Sequence, residues 1–293
     1  MIEALLLAAG LVAVFTTLAI VAILLYESST FFAHVSIVDF LTDTLWTPLF
    51  ADAHYGIAPL VAGTLTTTMV ALIVAVPLGT TIAIYLSEFA AHQVRETVKP
   101  ILELLGAVPT VVYGYFALTM VTPVLQWFMP DLPGFNMLSA GLVIGLMIVP
   151  YVSSVSEDAM RAVPLSLREA SYGIGARKVT TVMRVVFPAA ISGIVAALIL
   201  AVSRAIGETM VIALAGGAFG EAKYTTNISD VGMTITSAMA SLAGGTDQVA
   251  GGGGQGAGQA FNSLFALGLL LFGVTMILNV IGDFFVRRVR EQY

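Results

Sequence analysis

The sequence predicts an all-α, polytopic membrane protein of six transmembrane helices. Three observations carry that prediction: 58% of the 293 residues are apolar, only 10% are charged, and the apolar residues fall into six runs of bilayer length. Soluble domains carry about a quarter charged residues, and a mean hydropathy of +0.96 points away from them. This composition excludes a disordered chain, a nucleic-acid binder and an ordinary soluble enzyme. The absence of cysteine removes a disulfide scaffold, a thiolate metal site and a cysteine nucleophile. Three scattered histidines, His34, His54 and His92, argue against a histidine metal cluster, and a net charge of −6 leaves no basic patch for polyanions.

A bilayer core about 30 Å thick asks for roughly 20 mostly apolar residues per helix. The six runs are Ile2–Tyr26, Pro59–Leu86, Ile101–Phe128, Met137–Val155, Phe187–Gly217 and Phe261–Val286. Each is predicted helical, because a backbone in lipid must satisfy its own hydrogen bonds. The first lacks a basic leader and is too long for a signal peptide, so it reads as a retained helix. Between the first two, segment 27–58 holds Asp39, Asp43 and Asp52 and has room for a short amphipathic helix. Segment 218–260 contains Gly244-Gly245 and Gly251 to Gly254, which reads as a flexible linker. No G-x-x-x-x-G-K-[ST] occurs, so the chain is not expected to hydrolyse nucleotide itself.

Lysine and arginine orient the spans. Loop 87–100 holds Arg95 and Lys99, loop 156–186 holds Arg161, Arg168, Arg177, Lys178 and Arg184, and the tail holds Arg287, Arg288 and Arg290. These alternate correctly to share one side and account for 10 of the 12 basic residues, which predicts cytoplasmic termini at both ends. Lys223 is the exception on the opposite side, and Arg204 lies within a span.

The most informative soluble piece is 156–186. Pro164 opens a predicted short helix over 165–172, with Ser166 as a capping candidate, and Gly173 and Gly175 end it. A second helix from Arg177 leads into the fifth run and is interrupted at Pro188. That fifth run carries Ser203-Arg204-Ala205-Ile206-Gly207-Glu208-Thr209. Four residues apart on a helix, Arg204 and Glu208 share a face. A charge near the bilayer midplane costs at least ~3 kcal/mol, so Arg204 is expected to face a cavity or partner. A guanidinium fork suits phosphate or sulfate. Glu208 is expected to weaken the grip enough for release, as conduction demands. A salt bridge that only locks helices together is the other reading of the pair.

Several motifs carry a resemblance. Glu169-Ala170-Ser171, three residues, Gly175, nine residues, Val185-Val186-Phe187-Pro188 resembles the E-A-A-x3-G-x9-I-x-L-P signature of permease subunits of ABC importers. Arg204-Ala205-x-Gly207-Glu208-Thr209-Met210 is similar to the fifth span of PstC-type permease subunits of phosphate ABC importers. PstA-type sisters read G-E-T-A-P, and sulfate and molybdate permeases read G-E-F-G. Tyr55-Gly56-Ile57-x-Pro59-Leu60 and Leu105-Gly106-Ala107-Val108-Pro109-Thr110 agree. The resemblance implies a type I ABC importer permease fold. It implies a substrate pathway at Arg204 and Glu208, with Thr209, Ser203, Thr110, Tyr113 and Tyr115 as further lining candidates. Glu169, Ala170, Ser171, Gly175 and Pro188 are implied to couple to an ATPase.

The domain layout read from this is an N-terminal helix and outer loop over 1–58, a five-helix permease core over 59–286 and a cytoplasmic tail over 287–293. Within the core, the coupling helix falls at about 165–175 and the outer loop at about 218–260. Implied partners are a homologous PstA-type permease, a PstB-type ATPase dimer, an extracytoplasmic PstS-type phosphate-binding protein and inorganic phosphate, with no nucleic acid. No cofactor is expected on this chain; ATP and Mg belong to the partner ATPase. The expected function is phosphate permeation across the cytoplasmic membrane. Permeation of sulfate or molybdate and ion-coupled anion exchange are the alternatives. An intramembrane hydrolase fails, because the histidines fall in predicted loops, no H-E-x-x-H occurs and no span has a central Asp.

Overall fold

The computed structural model describes residues 2–50, 52–217, 220–244 and 255–289. Among them, five helical stretches are long and apolar enough to cross a membrane, and a bent pair makes a sixth. Helix α1 (Ile2–Phe32) leads to a short α2 (Ile37–Thr42) capped by Ser36, whose hydroxyl accepts from the Val38 amide. Helix α3 (Ala58–Ile84) follows and ends in a wide π-type turn at Tyr85–Phe89. Next come α4 (His92–Ala107), α5 (Thr110–Phe116), a π turn at Ala117–Val121 and α6 (Thr122–Phe128). The chain continues through α7 (Met137–Arg161), α8 (Leu165–Gly173) and α9 (Lys178–Thr181), then a third π turn at Val182–Val186. The remaining helices are α10 (Phe187–Ala189), α11 (Ile191–Ile206), α12 (Met210–Ala215), α13 (Ile235–Gly244) and α14 (Gln255–Val289). Two two-residue strands, β1 (Leu45–Trp46) and β2 (Ala222–Lys223), pair antiparallel with Trp46 opposite Ala222.

Three apolar clusters show how the helices stack. One joins the end of α1 to the starts of α3 and α14 through Phe31, Phe40, Trp46, Leu60, Met233 and Leu267. A central one joins α3, α7, α11 and α12 through Ala71, Ala75, Ile144, Met147, Ala201 and Ile212. A third joins the ends of α3 and α7 to the start of α11 through Ala83, Met160, Val186 and Ile194. Within a membrane, close approach of small residues replaces hydrophobic drive. The α3–α7 pair follows that rule: Gly141 and Gly145 sit where an added Cβ would meet Val70 and the Ala71 carbonyl oxygen at 2.7 Å.

Five sequence expectations are corrected. The run 101–128 is two helices, because Pro109 lacks an N–H and forces Val108 into extended geometry (ψ 132°). Its first part belongs to the amphipathic α4, and the apolar span is Thr110–Phe128. The fourth helix runs on to Arg161, so Ser156 and Glu157 lie on it and are buried. In the fifth run, α9–α10 and α11 meet at a 68° bend, and the helix stops at Gly207 (φ −81°, ψ −5°). At α8 the N-cap is Pro164, with no side-chain cap, so Ser166 does not cap it. Part of the predicted outer loop is the short helix α13, buried at Ile235, Ala238 and Leu242. Residues 245–254 of the glycine tract lie outside the described residues, as does Arg290.

Candidate functional site

The break after α11 organises the candidate site. Arg204 lies 13 residues past Ile191, about 20 Å along the axis, in the last turn of α11. A cation there faces the negative end of the helix dipole. Its guanidinium carbon stands 4.4 Å from the centroid of the Tyr151 ring. Its Nε is buried without a hydrogen-bond partner. Among the described residues Arg204 forms no ion pair, so the expected face-sharing pair with Glu208 is replaced by something else. Gly207 ends the helix, and Glu208, 7% exposed, turns its carboxylate onto the start of α12. Glu208 Oε1 accepts from the amides of Met210 at 3.1 Å and Val211 at 3.2 Å. A carboxylate at a helix N-terminus is favoured by the same dipole. Glu208 is thus held by a helix end, and Arg204 by the face of Tyr151, rather than by one another.

The other lining candidates scatter around this break. Thr209 starts α12 and donates weakly to the Gly207 carbonyl at 3.3 Å. Ser203 is turned toward α14, donating to Asn279 Oδ1 at 3.4 Å. Thr110 is the first residue of α5. Tyr113 donates its hydroxyl to the Leu105 carbonyl at 2.7 Å, a carbonyl that otherwise has the Val108 amide at 3.4 Å because Pro109 has no N–H to give it. Tyr115 is 66% exposed on the outer face of α5, apart from Arg204's partner Tyr151 on α7.

At the opposite end of the α3–α7 pair, α8 stands off the bundle. Glu169 and Ala170 are exposed, with Leu165 66% and Ile174 87% exposed beside them. These apolar side chains lie open on a segment outside the apolar spans. Ser171 is the inward member: its hydroxyl meets that of Thr181 at 2.8 Å and ties α8 to α9. Gly175 turns the chain with φ +83°, which favours glycine, and its amide donates to the Tyr172 carbonyl. Pro188 sits in the first turn of α10, where its missing N–H costs little.

Residues singled out by the fold alone complete the picture. Arg168 of α8 pairs with Glu88 at 2.8 Å, the two being 15% and 5% exposed, and also donates to the Met160 carbonyl at 2.7 Å. Glu157 is fully buried between Arg95, at 2.5 Å, and Lys99, at 3.5 Å, and Lys99 reaches Asp158 at 2.9 Å. These bonds lash α4 and α8 to the ends of α3 and α7. Thr236 of α13 donates to the Glu208 carbonyl at 2.7 Å, anchoring the break itself. A glutamate immediately after each long apolar run was the available signal for Glu88 and Glu157. Nothing local marks Tyr151 or Thr236.

The family model for "Binding-protein-dependent transport system inner membrane component" matches residues 75–291. A probable ABC transporter permease protein of Bacillus subtilis, YqgH, is 36% identical over 183 residues, 62% of this chain and 59% of that relative's length. The phosphate transport system permease protein PstC of Pasteurella multocida is 31% identical over 273 residues, 86% of this chain and 81% of that protein. A crystal structure of a bacterial alginate ABC transporter, in complex with an alginate pentasaccharide-bound periplasmic protein, superposes with a TM-score of 0.66 at 16% identity. It covers 98% of this chain and 96% of its own, a likeness of fold: the type I importer permease. The chain belongs to the family of binding-protein-dependent transport system inner membrane components.

Proposed function

We propose that this chain is the PstC-type permease subunit of an ATP-driven importer and carries inorganic phosphate across the cytoplasmic membrane. The observation that carries this reading is Arg204: a cation within the fifth span that no carboxylate of the described residues neutralises, with a buried Nε lacking a partner. Such a charge is costly in lipid and stands ready for an anion. A planar fork donates two parallel hydrogen bonds to a tetrahedral oxyanion. Relatives named phosphate transport system permease PstC support phosphate as that anion.

The rest of the reading follows the two ends of the bundle. The end bearing Arg95, Lys99, Arg161 and Arg168 faces the cytoplasm, with both termini. There the exposed face of α8, with Glu169 and Ala170 beside Ser171 and the Gly175 turn, docks into one subunit of a PstB-type ATPase dimer, which uses ATP and Mg. A PstA-type permease completes the pathway, and a PstS-type binding protein delivers phosphate to the outer face. ATPase closure pulls α8, and its bonds to the end of α3 and to α7 carry the pull into the spans.

The test is labelled-phosphate uptake into vesicles holding the reconstituted transporter, with sulfate and arsenate as competitors. Arg204→Ala is expected to abolish uptake while the complex still assembles, and arsenate alone of the two is expected to compete. Normal uptake by Arg204→Ala removes the pathway assignment; stronger competition by sulfate removes phosphate as the substrate.

A further inference from the structure

Arg204 is held by an aromatic face rather than by a carboxylate, and the surroundings of that face are specific. Tyr151 sits on α7, half-buried, and its hydroxyl donates to the Gly106 carbonyl at 3.2 Å. That carbonyl belongs to the last turn of α4, whose end before Pro109 leaves it without a donor from the next turn. Gly106 packs against the ring: a Cβ added there would lie 3.5 Å from its Cε2, Cζ and hydroxyl oxygen. The ring is thus fixed at its hydroxyl end by α4 and presents its π-face to the guanidinium, 4.4 Å away.

We propose that Tyr151 is the positioning residue of the anion pathway, a platform that holds the Arg204 guanidinium in place without neutralising it. The proposal rests on the phosphate-pathway reading of Arg204 and deepens it. A ring quadrupole attracts a cation but carries no net charge. A carboxylate in the same place would cancel the positive potential and fill the fork's donors. The π-face engages the delocalised carbon and leaves N–H groups for an oxyanion. Long arginine side chains lose rotamer freedom on binding, so an arm already held on a platform binds its anion with less loss. Tyr151 acts only through Arg204 and does not touch the substrate.

The test measures equilibrium binding of labelled inorganic phosphate to the complete transporter in lipid nanodiscs, with the binding protein omitted. Tyr151→Leu is expected to weaken binding about 3- to 30-fold, the range of a cation–π contact. Tyr151→Phe keeps the ring, loses only the bond to Gly106, and is expected to retain affinity. Because Tyr151→Leu also changes packing, a second series keeps the shape: phenylalanine with one, two and three ring fluorines at position 151. Fluorine drains the π-face, so affinity is expected to fall stepwise along the series, which a purely structural ring would not show. A flat fluorine series, with Arg204→Ala still defective, overturns the platform and leaves the pathway reading intact. Undiminished phosphate binding by Arg204→Ala overturns the pathway reading itself.

Discussion

Replacing Glu88 with leucine tests whether α8 is held to the membrane-spanning bundle by one buried ion pair. Glu88 and Arg168 are 2.8 Å apart and 5% and 15% exposed, so the pair is shielded from solvent screening. At an effective dielectric of about 20 the gross attraction is about 6 kcal/mol. Desolvation offsets much of that, and breaking a buried pair by removing one partner costs about 3–5 kcal/mol. Arg168 keeps its bond to the Met160 carbonyl, which places the expected cost near the lower figure. About 3 kcal/mol corresponds to a roughly 100-fold larger population of α8 detached from the bundle. Hydrogen exchange on the purified complex reads this directly. Amides of Leu165–Gly173 are expected to exchange about 100-fold faster, while those beside Ile144, Met147 and Ile148 in the central cluster keep their protection. Glu88→Gln keeps an acceptor for Arg168 and is expected to cost less. Equal acceleration in both regions means a global loss of stability, and no acceleration in α8 means the pair does not hold it; either result refutes the reasoning.

Other predictions address the turns, the packing and the segment between α2 and α3. Gly175→Ala is expected to lower stability by about 1–2 kcal/mol, entirely through the backbone at φ +83°, because nothing lies within 4 Å of the added Cβ; thermal unfolding reads it, with recruitment of the ATPase as the functional measure. Gly63→Ala places its Cβ 2.3 Å from the Met233 carbonyl oxygen, a backbone atom that must be displaced, and is expected to cost about 1–3 kcal/mol or more. Gly10→Ala, inside α1 with nothing within 4 Å, is expected to stabilise by up to about 1 kcal/mol in the same unfolding assay. In the segment between α2 and α3, His54 Nδ1 and Asp43 Oδ2 are 2.7 Å apart. The Asp43 hydrogen bond raises the His54 imidazole above its ordinary 6.5. Burial pushes Asp43 up, but hydrogen bonds from His54 and the Leu45 amide outweigh it and hold the carboxyl below 3.8. The imidazole's contribution is therefore complete below pH 6.5 and lost as pH rises through its raised value. That of Asp43 is complete above pH 3.8 and lost as pH falls through its lowered value. Protection of amides around Asp43 and His54, corrected for the intrinsic pH dependence of exchange, is expected to be greatest between those limits, and His54→Gln to flatten the alkaline side.

The spans were legible because lipid leaves helix as the remaining choice for a long apolar run, and α8 was legible because Pro164 and Gly175 punctuate it. Breaks inside apolar runs were not. Hydropathy cannot see Pro109 turning Val108 out of a helix while 101–107, Glu103 apart, remain apolar. Gly207 looked like one more small residue in a span, so Arg204 and Glu208 were placed on one face by counting four along a helix that stops between them. Tyr151 was invisible for a different reason: an aromatic in an apolar span reads as packing until a cation from another helix is seen above it. The lashings of Arg95, Lys99 and Arg168 join residues 59 to 80 positions apart. Only the folded chain brings them together.

The cap that Glu208 forms on α12 makes its negative charge stationary. Two main-chain amides hold it, and Thr236 pins the same residue's carbonyl from behind. A carboxylate anchored in this way does not swing toward the arginine and away again as a gate would. On the proposed pathway reading, with the guanidinium resting on Tyr151, alternation between gripping and letting go comes from relative movement of the two helix ends. The acid supplies a constant background field against which that movement is felt.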